Sequence, residues 1–177
     1  VVVQGSQDMS KSLSLHLKYL KDKNNDDSNF QYFHVHRLDK DTSGILVCAK
    51  NTVPLRDLNE IFRTREVKKT YICLCKGRFD KKEGTVKINL DRNIEGVRQK
   101  VFVSGKNGKE TISHYKILEE YSFDDDIFTL VEVEIETGFM HQIRVHMKHL
   151  GHPIVCDNMY GNSYTNGLFK ETLTRQF

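Results

Sequence analysis

The stretch His36-Arg37-Leu38-Asp39-Lys40-Asp41-Thr42-Ser43-Gly44, followed at once by Ile45-Leu46-Val47-Cys48-Ala49, sets how the rest of the chain reads. It sets acids among basic residues and ends on turn formers. The apolar run after it is short and partly β-branched, which predicts a buried strand over 45–49. Asp39 therefore falls on a loop held by a rigid element, a common placement for reactive groups. Arg37 and Lys40 favour its ionised form, because nearby positive charge stabilises a carboxylate. Such an acid serves as a nucleophile or as a base. The plain alternative is a turn in which Asp39 and Asp41 cap backbone amides and pair with Arg37.

Outward from this loop, the chain alternates helix and strand signals. Ser10 to about Leu20 reads as a helix with Leu13, Leu15, Leu17 and Leu20 as its apolar content, and Lys21–Asn29 reads as a polar loop. Asn51-Thr52-Val53-Pro54 opens a second helix that ends near Thr64, with Leu55, Leu58, Ile61 and Phe62 as its buried stripe. Arg63 and Arg65 then stand at its exit. Lys69–Lys76, Gly84–Leu90, Arg98–Ser104, Lys109–Tyr121 and Phe128–Thr137 read as strands, the last alternating Thr129, Val131, Val133 and Ile135 against Glu132, Glu134 and Glu136. Gly105-Lys106-Asn107-Gly108 makes a hairpin turn. After Thr137-Gly138 a helix carries Met140, Ile143, Met147 and Leu150 on one face. His141, Arg144 and Lys148 lie on another, and Gly151 and Pro153 end the helix. These signals predict one α+β domain, with a mixed, mainly antiparallel sheet flanked by helices and loops.

Composition bounds the class. The 177 residues are 38% hydrophobic and 29% charged, enough for one domain with a sizeable core. No apolar run approaches the roughly 20 residues a membrane-spanning helix needs. Val1-Val2-Val3-Gln4-Gly5 is too short for a secretion signal and lacks a basic lead. Cys48, Cys73, Cys75 and Cys156 form no Cys-x-x-Cys pair and read as reduced core thiols, with Cys73 and Cys75 on one strand face. The net charge of +3 says less than its distribution. Arg63, Arg65, Lys68 and Lys69 cluster, and Arg92, Arg98, Lys100, Lys106 and Lys109 follow, as suits a phosphate backbone. The acidic run Asp124-Asp125-Asp126 faces away from such a partner.

Arg37-Leu38-Asp39-x-x-Thr42-Ser43-Gly44 is similar to the active-site signature of the RluA-type pseudouridine synthases, which isomerise uridine in structured RNA. Two further motifs extend the resemblance. Lys68-Lys69-Thr70-Tyr71 matches the basic pair and pocket tyrosine. Thr137-Gly138-x-x-His141-Gln142-Ile143-Arg144-Val145-His146, then Leu150-Gly151-His152-Pro153-Ile154 and Asp157-Asn158-Met159-Tyr160-Gly161, looks like the third active-site motif. The resemblance implies that Asp39 is the catalytic aspartate, that Tyr71 packs against the uracil and that Arg144 pairs with Asp39. It implies base flipping with Arg37 taking part, and RNA contacts at Arg65, Lys68, Lys69, His141 and Gln142. Phe139 departs from the pattern, since many members have Arg directly after Thr-Gly. The reaction involves no redox change and no hydrolysis, so neither cofactor nor metal is expected.

The resemblance covers nearly all of the chain. The family's leading Asn-Lys-Pro segment and trailing Leu-His-Ala are not seen, so residues 1–177 are expected to be a catalytic domain truncated at both ends. The partner is expected to be ribosomal RNA, with transfer RNA as the alternative; Gly108-Lys109-Glu110-Thr111 leans toward the former. A monomer in the cytoplasm, or in an organelle, completes the expectation. Two rivals stand beside it. A metal-dependent hydrolase would use His34, His36 and Asp39, or His141, His146, His149 and His152. However, His141 and His146 are five residues apart and do not share a helix face. A non-catalytic RNA-binding paralogue or an inactive fragment needs basic and stacking residues, not Asp39, Tyr71 and Arg144 together.

Overall fold

The computed structural model describes residues 13–23, 32–93, 99–123 and 125–175. They fall into two compact units, Val1–Val67 and Lys68–Phe177.

The first unit holds α1 (Leu13–Lys23), β1 (Phe33–His34), β2 (Cys48–Ala49) and α2 (Thr52–Arg63). α1 runs to Lys23, three residues past the expected end; its expected start and the rest of the polar loop lie outside the described residues. The strand expected over 45–49 shrinks to its last two residues. They pair antiparallel with β1 through Phe33↔Ala49 and His34↔Cys48. A strand extends only as far as its partner, and β1 offers two residues. Ile45 is consequently 87% exposed, while Ala49 is buried. α2 starts as expected. The Asn51 side chain accepts from Val53 N at 3.0 Å, and Pro54 sits in the first turn, where its missing N–H costs nothing. Past the Thr64 cap, Arg65 turns left-handed at φ 65°. Glu66 N then reaches back to Ile61 O at 3.1 Å, the bond that closes a Schellman motif. Of the expected stripe, Leu55, Leu58 and Phe62 are half-buried and Ile61 is exposed.

The second unit holds β3 (Lys69–Lys76), β4 (Glu83–Asn93), β5 (Lys100–Val103), β6 (Lys109–Phe123), β7 (Asp126–Ile135), α3 (Gln142–His149) and α4 (Ser163–Arg175). The sheet order is β3-β7-β6-β4-β5. Every ladder among the described residues is antiparallel. β7 lies between β3 and β6, and its alternation is as read: Thr129, Val131, Val133 and Ile135 are buried. On its other face Glu134 pairs with Lys68. Cys75, Phe79, Val131, Val133, Ile135 and Met147 form one core cluster, with Tyr71, Ile143 and Leu150 packed against it. Leu90, Val101, Val145 and Tyr160 form a second, with Phe139 and Met140 against it.

Met147 and Val145 put α3 into both clusters, which fixes the helix on the sheet. Its end is a full Schellman motif: His152 N bonds Met147 O at 2.9 Å and Gly151 N bonds Lys148 O at 3.0 Å. Gly151 supplies the φ of +86° that this geometry requires. The reading of 45–49 failed, and the reading of Cys156 as a core thiol also fails, since Cys156 is exposed at φ 62°. Cys73 and Cys75 do share a face, with sulfurs 3.7 Å apart. α4 is an addition to the sequence reading, capped by Asn162, whose Oδ1 accepts from Thr165 N at 3.1 Å. No described helix is long and apolar enough to cross a membrane.

Candidate active site

Asp39 sits on the connection between β1 and β2, which the ladder closes at its base. Asp39 O accepts from Thr42 N at 3.0 Å, forming a tight turn over 39–42. His36 Nε2 accepts from Val47 N at 2.9 Å and so ties the two arms of the loop together. The ring also stacks on Phe62, with centroids 4.9 Å apart. A ring nitrogen that accepts an amide proton has no lone pair left for a metal, which counts against His36 as a ligand. Asp39 and Leu38 are half-buried, while Arg37, Lys40 and Asp41 are exposed. Gly44 takes φ +143°, a backbone only glycine adopts at ease. Arg65, the remaining expected site residue of this unit, is exposed at the exit of α2.

Tyr71 lies on β3 opposite Val133 and is half-buried against the first core cluster. Lys68 Nζ meets Glu134 at 2.8 Å on the exposed face, and this pairing raises the lysine pKa. Such an exposed pair is worth little and releases its lysine readily. Lys69 Nζ would lie 3.8 Å from a Cβ built on Gly138, so its amine lies against the turn that leads into α3.

That turn is held by Gln142. Its Oε1 accepts from Thr137 Oγ1 at 2.9 Å and Phe139 N at 3.1 Å. Its Nε2 donates to Ile112 O and Ser113 Oγ, both at 3.0 Å. The sequence reading places Gln142 among the RNA contacts. In the fold it is 3% exposed, with both lone pairs and both protons used internally, which makes it the brace of the turn. His141 follows the turn in the left-handed region at φ 53°. Its Nδ1 lies 2.9 Å from Tyr160 Oη, which itself accepts from Val101 N at 2.7 Å. The Tyr160 hydroxyl therefore links the Val101 amide to the His141 ring.

Arg144 projects from α3 with a side chain 25% exposed. Its Nε donates to Asp157 Oδ2 at 2.7 Å and its Nη2 to Asp157 Oδ1 at 2.8 Å. The guanidinium lies 4.9 Å from the Tyr160 ring centre. Burial pushes the Asp157 carboxyl up. The Arg144 fork and the Tyr160 and Met159 amides outweigh burial and hold it below the ordinary carboxylate value. In the sequence Asp157 and Tyr160 stand out only as part of a motif, and their contacts with Arg144 are not foreseen. A carboxylate and a ring thirteen and sixteen residues downstream of an arginine carry no local signal. Phe139, the departure from the pattern, packs into the second core cluster. A cleft of about 490 Å³ runs along Gly138, Phe139 and Met140, with Arg92 and Lys109 in its wall.

His146 and His152 each make contacts of their own. His146 Nε2 bonds Thr111 Oγ1 at 2.8 Å inside the core. His152 stacks on Phe79 with centroids 3.9 Å apart and donates from Nδ1 to Lys76 O.

The family described as RNA pseudouridylate synthase matches residues 1–149. A ribosomal large subunit pseudouridine synthase C of Rickettsia bellii is 40% identical over 162 residues, covering 92% of this chain and 51% of that protein. A ribosomal large subunit pseudouridine synthase D of Borreliella burgdorferi is 41% identical over 127 residues, covering 72% and 37%. The chain thus spans about half the length, or less, of these curated relatives. Among solved structures, human RNA pseudouridylate synthase domain containing 1 superposes with a TM-score of 0.71 at 30% identity, over 85% of this chain and 61% of that one.

Proposed function

The chain belongs to the RNA pseudouridylate synthase family, and from that premise we propose that it isomerises uridine to pseudouridine in RNA, with Asp39 as the catalytic carboxylate. One observation carries this: the matched span 1–149 holds Asp39, Tyr71 and Arg144 together. Residues 1–177 belong to the catalytic domain in this reading.

The reaction breaks the N1–C1′ bond, turns the uracil and joins C5 to C1′; the proton lost from C5 is balanced by one gained at N1. Asp39 opens the sequence, by attack on C1′ or by removing the 2′ proton. Arg144 pairs with Asp39 and orients it. Asp157 takes the Nε–H and one Nη2–H of the guanidinium, one edge of a fork that carries five donors. Tyr71 packs against the uracil. The target nucleotide leaves its stack to reach the carboxylate, which costs a few kcal/mol, and Arg37 helps displace it. Arg65, Lys68, Lys69 and His141 meet the RNA backbone or the displaced base. Gln142 acts behind them as the brace. Ribosomal RNA is the favoured substrate, since the relatives are named for the ribosomal large subunit, with transfer RNA next. The protein acts as a monomer in the cytoplasm or an organelle.

The experiment is tritium release from RNA carrying [5-³H]uridine, on ribosomal and transfer RNA transcripts. Release by the parent and a loss of at least about a thousandfold in Asp39→Ala are expected for a group at the reacting atoms. A parent that binds RNA yet releases no tritium sinks the catalytic reading and leaves an RNA-binding module.

A further inference from the structure

We infer that Asp157 and Tyr160 are positioning residues that aim Arg144, an inference that rests on the role proposed above for that arginine. The two are supplied by one short turn and act on Arg144 from two directions. The Asp157 carboxylate grips the guanidinium edge-on through Nε and Nη2. The Tyr160 ring sits under its central carbon, which lies 4.9 Å from the ring centre. The two-bond fork sets the orientation of the guanidinium, and the ring limits where its centre can move. The guanidinium is therefore held in one orientation.

The turn itself is immobilised. The Asp157 side chain is 4% exposed, and its Oδ1 also accepts from Met159 N at 2.9 Å and Tyr160 N at 3.0 Å. Its carbonyl oxygen accepts from Gly161 N and from Asn166 Nδ2, both at 2.9 Å. Asn166 Oδ1 accepts from Cys156 N at 2.8 Å, so α4 holds the backbone on both sides of Asp157. A Cβ on Gly161 would collide with the Asp157 carbonyl, so only glycine closes this turn. The Tyr160 ring cannot swing either, because its hydroxyl is fixed between Val101 N and His141 Nδ1.

A free arginine side chain gives up much rotamer freedom when it engages a partner. One already held by a carboxylate and a ring loses little at that moment, which is how a supporting shell sharpens a site. A pair that only tied α3 to the turn would need the carboxylate, but not a ring anchored through a second hydrogen bond.

The test measures tritium release and melting on the full chain. Asp157→Asn keeps the size and an oxygen for the Met159 and Tyr160 amides while removing the charge. Its kcat is expected to fall at least about tenfold, with KM changed by less than about twofold, as for a group acting in the transition state rather than in RNA binding. Tyr160→Phe keeps the ring and frees it; a smaller fall in kcat is expected. In a double variant with Arg144→Lys, Asp157→Asn should add nothing to the loss from Arg144→Lys alone, because both act through one group. Losses that multiply, or Asp157→Asn with the parental kcat, overturn the inference. Should Asp157→Asn fail to fold, as its melting would show, Tyr160→Phe decides: a kcat at the parental value overturns the inference. The Arg144 Nε–H resonance, slow to exchange in the parent and lost in Asp157→Asn, reports the clamp without activity. If the parent makes no pseudouridine, the proposed function falls, and the clamp then stands or falls on that resonance.

Discussion

Asp39 and Arg144 occupy places of opposite kinds. Asp39 lies on a loop of the first unit, closed by a two-residue ladder and the His36–Val47 bond, among exposed Arg37, Lys40 and Asp41. Arg144 lies on a helix that enters two core clusters of the second unit and is gripped by a buried carboxylate. The difference teaches a division of labour. Under the proposed function, the loop gives its carboxylate room to meet a large substrate, and the core gives its arginine a fixed direction. Perturbing the core should therefore appear first as lost stability, and perturbing the loop as lost activity.

The strongest test on the core side is acidification. His146 is fully buried, its Nε2 on Thr111 and its Nδ1 without a partner among the described residues. Burial, then the nearby His149, pushes its pKa down from 6.5 to about 4. Between those values the unfolded chain binds the proton and the folded chain does not. Stability is therefore fully present above pH 6.5 and falls as pH drops toward 4, by on the order of 3 kcal/mol. Urea titrations across that range check it, and His146→Gln should flatten the curve. An unchanged midpoint from pH 7 to pH 4.5 would break the comparison on its core side. Asp157 contributes in a lower window, since its depressed carboxyl keeps its stability until pH falls below the ordinary carboxylate value.

What the sequence made legible follows from where its signals act. α2 and the end of α3 were readable because Asn51, Pro54, Gly151 and Pro153 act on their own backbone. β7 was readable because one buried and one solvated face impose period two. The run 45–49 has strand composition, but a strand is made by its partner, and composition does not show that β1 offers only two residues. Arg65, His141 and Cys156 take left-handed conformations that glycine would have advertised. The candidate site divides in the same way. Asp39, Tyr71 and Arg144 were legible as motif residues, whereas the Asp157–Tyr160 cradle exists only once α3 is packed on the sheet.

On the loop side, Gly44→Ala tests the other half of the comparison. No atom lies within 4 Å of where the Cβ would sit, so the change meets no clash, only a φ of +143°. That backbone strain costs about 2 kcal/mol in an L-residue. The loop can relieve it by shifting, and Asp39 shifts with it. Tritium release should fall while hydrogen exchange in β3 and β7 stays as in the parent. A fall in sheet protection equal to the loss of activity would mean that the loop and the core are not separable in this way.

Arg65→Gly is the smallest effect and separates two reasons for one residue. Arg65 takes φ 65° at the point where helices ordinarily place glycine. An arginine there costs about 1 kcal/mol over glycine in the folded chain, partly offset because glycine loses more freedom on folding. The variant should therefore melt at the parental temperature or slightly above it. If the position keeps arginine only by tolerance, RNA affinity will not change. If Arg65 meets a phosphate, affinity should fall several-fold and the slope of log K against log salt should shrink by about one. A variant that is no less stable yet binds RNA less well, with that change in slope, would show that the strain is maintained for the substrate.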